Sequence, residues 1–303
     1  MSLFKHALIQ QHEDDAVGEL LIAFETSRKR HLVDEDDEDL VVSGDGASLS
    51  AVNSDARLCW AHFLCREMAG LLSYDDVFRS INQPVFLVTL VDIGCARASN
   101  EFNVDLKPMV RRLGKGLHDC NYIGLIEPGL YPYIATVGAS LDRSQCVSWH
   151  LHALVWGIDA KRLKRLVAKL NRTKKYIPIS PDQTGVDARR VRDGEFAETL
   201  AYLLKRPTMA YRLAKGEKPN SSGEIKFHQY EGNMRPGERL TSYLQMRHLS
   251  LPDLWIASGD GKKVLKATIR QCRMAIRRFE RASTGKQSRF GRRGGLFDLV
   301  NDQ

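Results

Sequence analysis

His150 and His152 stand two residues apart in an apolar run at 147–157, Val-Ser-Trp-His-Leu-His-Ala-Leu-Val-Trp-Gly. The Val and Trp content of that run favours a strand over a helix. Side chains alternate along a strand, so Ser148, His150, His152 and Leu154 share one face, while Val147, Trp149, Leu151, Ala153 and Val155 share the other. Residues two apart on one face are separated by roughly 6.5–7 Å, which lets two imidazoles converge on one divalent ion. An isolated His-x-His pair more commonly means two half-buried sheet histidines. A metal reading therefore needs a third ligand and a chemistry to serve.

Glu127 is the best third ligand. It ends a strand predicted over 122–127, and antiparallel neighbours bring such a residue across from the histidines. Its bland reading is a strand-end carboxylate beside the Pro128-Gly129 turn; His118 is a second candidate ligand. A His/His/carboxylate shell with open positions suits Mg²⁺ or Mn²⁺ in phosphate chemistry and leaves zinc open.

Tyr202-Leu203-Leu204-Lys205 is the second constellation. On a helix over 195–206, Phe196, Ala197, Leu200, Ala201, Leu203 and Leu204 fall on one continuous face. Tyr202 falls opposite, with Glu198 and Lys205, where a core tyrosine would not lie. Tyr202 and Lys205 are surface neighbours three residues apart. A phenol has a pKa near 10 and attacks poorly until its proton is removed or its anion stabilised. A nearby ammonium and a metal-bound phosphate supply that environment. The alternative is a surface tyrosine packed along a lysine stem.

The elements that must position these groups are legible in outline. Helices are predicted over 16–26, 55–72 (Asp55 as N-cap), 104–117, 159–170, 195–206 and 264–282, and strands over 85–93, 122–127, the His-x-His run and 186–191. Between 81 and 212 the order is strand, helix, strand, strand, helix, strand, helix. That order predicts an α+β fold: a ferredoxin/RRM-like antiparallel sheet with helices on one side, plus helical N- and C-terminal additions. Residues 1–54 read as an acidic, flexible segment, with the like-charge block at 34–39 as loop. Residues 55–80 read as a helical lead-in, 81–212 as the domain that carries both constellations and 213–303 as a basic C-terminal region. Leu130 to Arg143 reads as a long connection, and 283–295 as a flexible basic tail.

Composition bounds the class. Of the chain's 303 residues, 43% are hydrophobic and 27% charged, and no apolar run approaches a membrane span. The six cysteines form no Cys-x-x-Cys pair and residues 1–11 lack a signal-peptide pattern, so a reduced, cytoplasmic chain is expected. The net charge of +8 is uneven: residues 1–60 hold 13 acids and 5 Lys/Arg, a net of −8, so the rest carries +16. A basic body is the footprint of a polyanion binder. No phosphate loop of the Gly-x4-Gly-Lys-Ser/Thr type and no Ser/His/Asp hydrolase motif is present.

Three motifs, in order, resemble those of the HUH endonuclease superfamily, in its rolling-circle replication-initiator branch. Phe86-Leu87-Val88-Thr89-Leu90 is similar to the first-strand motif, His150-Leu151-His152 to the metal-binding motif, and Tyr202-Leu203-Leu204-Lys205 to the Tyr-x-x-Lys nucleophile motif. The resemblance covers about 85 to 210 and implies a single-tyrosine enzyme. It would cut single-stranded DNA, at an origin or hairpin, through a 5′-phosphotyrosine link. It implies Mg²⁺ or Mn²⁺ on His150, His152 and Glu127, and Tyr202 and Lys205 as catalytic residues. Lys161, Arg162, Lys164, Arg165, Arg189, Arg190 and Arg206 would contact DNA, and a host helicase and polymerase would be partners. In many members the acidic ligand lies closer to the His pair than Glu127 does. Tyr211 follows Tyr202 by nine residues, beyond Pro207, and so does not make the close pair of two-tyrosine initiators. Two other readings stay open: a non-cleaving nucleic-acid binder with a ferredoxin-like sheet, and a metal-dependent phosphoesterase without a covalent step.

Overall fold

A computed structural model gives the fold and describes residues 6–42, 49–75, 81–132, 145–180, 183–192, 194–219 and 225–286. In chain order, helices α1 (His6–Thr26), α2 (Glu35–Val42) and α3 (Ser54–Leu71) precede strand β1 (Val85–Leu90). Then come β2 (Ala96–Ala98), α4 (Lys107–Gly114), a 3-10 turn at Lys115–Leu117, β3 (Asn121–Tyr131), β4 (Cys146–Trp156) and α5 (Ala160–Arg172). They are followed by β5 (Val186–Arg190), α6 (Phe196–Leu204), β6 (Met209–Pro219) and β7 (Ile225–Asn233). Helices α7 (Pro236–Met246) and α8 (Leu251–Leu254), β8 (Trp255–Ser258) and α9 (Gly261–Lys286) complete the described chain. No helix among the described residues is long and apolar enough to cross a membrane.

The central strands lie in the order β5-β1-β4-β3, all antiparallel. With α4 between β1 and β3, and α5 between β4 and β5, this is the βαββαβ arrangement of a ferredoxin-like sheet. Both crossover helices cover one face, as their common handedness requires. Gly114 at the end of α4 lies against the Tyr122 ring, and Gly116 in the 3-10 turn against Leu90. A Cβ at Gly116 would meet Leu90 at 2.9 Å and the Tyr176 hydroxyl at 2.7 Å, so only glycine permits this approach.

On the opposite face, which carries the histidines, the additions pack against part of the sheet. Trp255 of β8 pairs with Leu125, on the histidine face, and its ring lies 6.1 Å from Trp60 of α3. Helix α3 packs along α9, which also reaches β3. The helical additions thus make a second layer, and the sheet has helices on both sides. The sheet also runs past residue 212: β6 meets β3 in parallel at Leu130↔Ala210, and β7 pairs with β6.

Three expectations are corrected. Residues 1–54 are not a flexible tail over their described part. Helix α1 buries Ile9, Ala16, Leu20, Ala23 and Phe24 at helical spacing, and Phe24 meets Tyr243 of α7 edge-on at 4.9 Å. The acidic block forms α2 rather than loop. Asp34 and Asp37 exchange backbone-to-side-chain hydrogen bonds at its start (3.2 and 3.1 Å). Buried Asp37 also accepts from the Tyr243 hydroxyl (2.6 Å) and Arg247 Nη1 (3.1 Å). Carboxylates are favourable in a helix's first turn.

The third correction concerns β3, which runs through Pro128-Gly129 to Tyr131 instead of stopping at Glu127. Pro128 pairs with Trp149 of β4 and falls where pairing with β8 has ended at Leu125 and contact with β6 has not begun at Leu130, so one side of the strand makes no ladder at the proline. Residues 133–144 of the predicted connection and the basic tail from 287 lie outside the described residues. All six cysteines are free and buried.

Candidate metal centre

Strand alternation and the β3–β4 hairpin register build the centre. Glu127 pairs directly with His150, and Leu125 with His152, so the carboxylate and both imidazoles emerge on one face. All three residues are buried, at 8%, 4% and 6% exposure. His150 Nε2 lies 3.0 Å from His152 Nε2, and Glu127 Oε1 lies 3.4 and 3.1 Å from these two nitrogens. An ion about 2.0–2.2 Å from each ligand has neighbouring donors about 3.0–3.4 Å apart in tetrahedral or octahedral shells. The three spacings fall in that window, so the group can bind a metal ion.

The outer ring nitrogens are occupied. His150 Nδ1 donates to the Ser148 carbonyl (3.1 Å), and His152 Nδ1 is 2.9 Å from the Thr89 hydroxyl on β1. Such contacts orient a ligating imidazole and leave Nε2 for the ion. Thr89 pairs with His152 across β1 and β4, and the first-strand motif carries no ligand chemistry of its own that would single it out.

Electrostatics fit a cation. Burial alone would raise the Glu127 pKa, but hydrogen bonds from His150 and His152 hold it well below the carboxylate range. Burial pulls both imidazoles down; contact with Glu127 lifts His150 above its ordinary value, while His152 stays below it. A divalent ion bound by these groups would displace any proton they share, because metal ligation requires a carboxylate and neutral imidazoles.

Two phenols flank the centre. The Tyr202 ring, on α6, is 5.6 Å from His152, and the Tyr211 ring, on β6, is 6.1 Å from His150. Tyr202 is half-buried while Leu200, Leu203 and Leu204 are buried, as the helical-face reading requires. Lys205 holds its ammonium over the Tyr202 ring, 4.2 Å from the centroid. Burial and the nearby Glu127 and Glu231 carboxylates push the Tyr202 pKa up. A divalent ion at the centre would offset that negative field.

The role expected for Pro207, separating Tyr211 from the catalytic helix, does not keep it away in space. The chain returns along β6, where the Tyr211 ring stacks on Tyr131 at 5.2 Å. Gly129 makes the room: a Cβ there would meet the Tyr211 ring at 2.7 Å and His150 Cε1 at 2.9 Å.

Compared with known proteins, the chain matches no family model, no curated protein and no solved structure. Its function has to be argued from the centre itself.

The residues expected to contact DNA are divided. Arg189 shares the histidine face, since it pairs with Leu87 of β1, and is 52% exposed. Lys161, Arg162, Lys164 and Arg165 are exposed on α5, behind the sheet, and Arg190 is exposed on the same far face. His118, the second candidate ligand, is exposed beside Asp119 and lies outside the metal group.

Arg206 is corrected outright. Only 5% exposed, it is paired with Glu13 of α1 and donates to the Val52 carbonyl (2.8 Å), which removes it from any DNA-contacting surface. Glu13 also pairs with Arg57 of α3 (3.3 Å), whose Nη2 donates to the Leu204 carbonyl. Burial would raise the Glu13 pKa, but the two guanidiniums hold it below the ordinary value. Sequence reading missed the contacts of Thr89, Glu13 and Arg57, and it set Tyr211 apart from the centre. One signal was available for Glu13: it falls in the apolar stripe of α1, between Ile9 and Ala16.

Proposed function

We propose that the chain is a metal-dependent endonuclease and strand transferase for single-stranded DNA, with Tyr202 as nucleophile. The observation that carries this reading is a phenol beside a three-donor centre: Tyr202 lies 5.6 Å from His152, on the same face as His150 and Glu127. A hydrolase without a covalent step has no need of a tyrosine there.

Glu127, His150 and His152 would hold Mg²⁺ or Mn²⁺, which supplies polarisation of the scissile phosphate and neutralises charge developing on it. Thr89 and the Ser148 carbonyl keep both imidazoles aimed. The Tyr202 oxygen attacks phosphorus, the bond to the 3′-oxygen breaks, and the phenol's proton ends on that oxygen. The products are a 5′-phosphotyrosine and a free 3′-hydroxyl. Phosphodiester energy is retained, so the reverse reaction joins strands. Lys205 places its positive charge against the Tyr202 ring and favours the phenolate form. On this reading the 3′-hydroxyl primes synthesis in rolling-circle-type replication or mobilisation, with a helicase and polymerase supplied by the host.

The test is incubation of the protein with labelled single-stranded DNA pools and Mn²⁺. A denaturation-resistant protein–DNA adduct is expected, lost in Tyr202→Phe. Cleavage without an adduct would favour the phosphoesterase, and binding without cleavage the non-cleaving binder.

A further inference from the structure

The basic helix α5 lies on the far side of the sheet from the tyrosine centre. Between α5 and the 3-10 turn at Lys115–Leu117 runs a cleft of about 520 Å³. Ligand clefts are typically about 300–1,000 Å³. Its floor includes Leu166 and Leu170, and its rim carries Lys115, Arg162, Lys169 and Lys175. Among the described residues none of these four cations is within ion-pair distance of a carboxylate. The rim also carries Asp119, whose Oδ1 lies 3.0 Å from His118 Nε2.

We propose that this cleft binds a nucleotide unit, with its phosphate at the four cations and its base against the leucine floor. Cations with no carboxylate partner around an apolar floor are matched by an anion that also carries a flat apolar part. Inorganic phosphate would leave the floor uncovered, and a wholly apolar ligand would leave the cations unused. Choosing a nucleotide among such anions rests on the DNA reading above.

The walls are built rather than loose. The Asp159 side chain caps α5 by accepting from the Arg162 N–H at 2.8 Å. Asn171, at its other end, exchanges two hydrogen bonds with Val186 of β5 (2.8 and 2.9 Å). Tyr176, next to Lys175, is buried and donates its hydroxyl to the Arg112 carbonyl at 3.0 Å. The sheet separates this cleft from Tyr202, so the nucleotide held here is not the one being cut. The protein would grip nucleic acid at two places, one on each side of the sheet.

The same chemistry is offered by a nucleotide within a strand and by a free one. The full chain carrying Tyr202→Phe, without metal, is titrated into fluorescein-labelled, 5′-phosphorylated oligothymidylate, and anisotropy is read. The cleft pair Arg162→Glu/Lys169→Glu is compared with Lys107→Glu/Arg111→Glu. The latter makes the same charge change on exposed residues of α4, on the same side of the sheet. The cleft pair is expected to weaken binding about tenfold or more beyond the control pair at equal salt. Equal weakening by both pairs, or no weakening by the cleft pair, overturns the proposal. Thymidine 5′-monophosphate that displaces the oligonucleotide adds free nucleotides to the ligands; failure to displace restricts the site to strands. Leu166→Gln should weaken oligonucleotide binding while leaving inorganic phosphate competition unchanged, and an unchanged oligonucleotide affinity would overturn the base contact. Because no cleavage is read, failure here leaves the adduct experiment standing, and failure of the adduct experiment leaves this one standing.

Discussion

Arg57 donates from Nη2 to the carbonyl oxygen of Leu204 at 3.0 Å, tying α3 to the last turn of the helix that carries Tyr202. The same guanidinium pairs with Glu13, which also pairs with Arg206 just past that helix. An N-terminal helix thereby helps to set the position of a residue nearly 190 places later in the chain. Glu13→Ala leaves two buried guanidiniums without their carboxylate. It should cost about 3–5 kcal/mol of folding stability, read from denaturant unfolding. The depressed pKa of Glu13 fixes the pH sign. Its contribution is present above the ordinary carboxylate range and is lost as pH falls through and below that range, so wild type and variant should converge in acid.

Metal binding should be visible without any DNA. Mn²⁺ at 100 times its Kd should stabilise the wild-type fold by about 2.7 kcal/mol, raising Tm. His150→Ala and His152→Ala should each abolish the rise, because each removes one of three donors within 4.8 Å of one another. A Tm rise that persists in both variants would place the ion elsewhere.

Thr89 orients His152 without being a ligand. Thr89→Val keeps the shape of the side chain and deletes the hydroxyl 2.9 Å from His152 Nδ1. Metal affinity should fall about 10–100-fold while the site stays intact, as for other outer contacts to metal-bound histidines. Titration with Mn²⁺ measures it, and Thr89→Ser should recover most of the loss.

Tyr202→Phe should abolish cleavage and adduct while metal and DNA binding persist, since it removes one hydroxyl from a half-buried position. Lys205→Ala should slow cleavage without ending it, by removing the ammonium 4.2 Å from the ring centroid. Tyr211→Phe should retain the adduct. Mass spectrometry of the adduct peptide decides, and a link found on Tyr211 would transfer the role to β6.

Gly129→Ala tests the packing of Tyr211 over His150. Its Cβ would stand 2.7 Å from the Tyr211 ring and 2.9 Å from His150 Cε1, so one ring must move. Overpacking of this kind typically costs about 1–3 kcal/mol. Both Tm and Mn²⁺ affinity should fall.

The sequence by itself determined the features that depend on local periodicity. Alternation along a strand put His150 and His152 on one face, and the preceding strand, as hairpin partner, was enough to bring Glu127 opposite them. Helical spacing alone turned Tyr202 away from its leucines. The alternation of strands and helices between 81 and 212 was likewise enough to order the four central strands.

Tertiary structure decided what hangs on distant partners. Arg206 reads as one more surface cation until Glu13, 193 residues earlier, is packed against it. The acidic block at 34–39 reads as a repelling loop, because Tyr243 and Arg247, which hold Asp37, lie more than 200 residues on. Tyr211 reads as separated by Pro207, since only the pairing of β6 with β3 at Leu130↔Ala210 returns it to the centre. The basic face of α5 reads as a DNA-contacting surface, and right-handed crossover puts it behind the sheet, away from the histidines. Local periodicity sets the direction in which a side chain leaves the backbone. What it meets there is set by contacts between segments far apart in the chain, which no window of sequence contains.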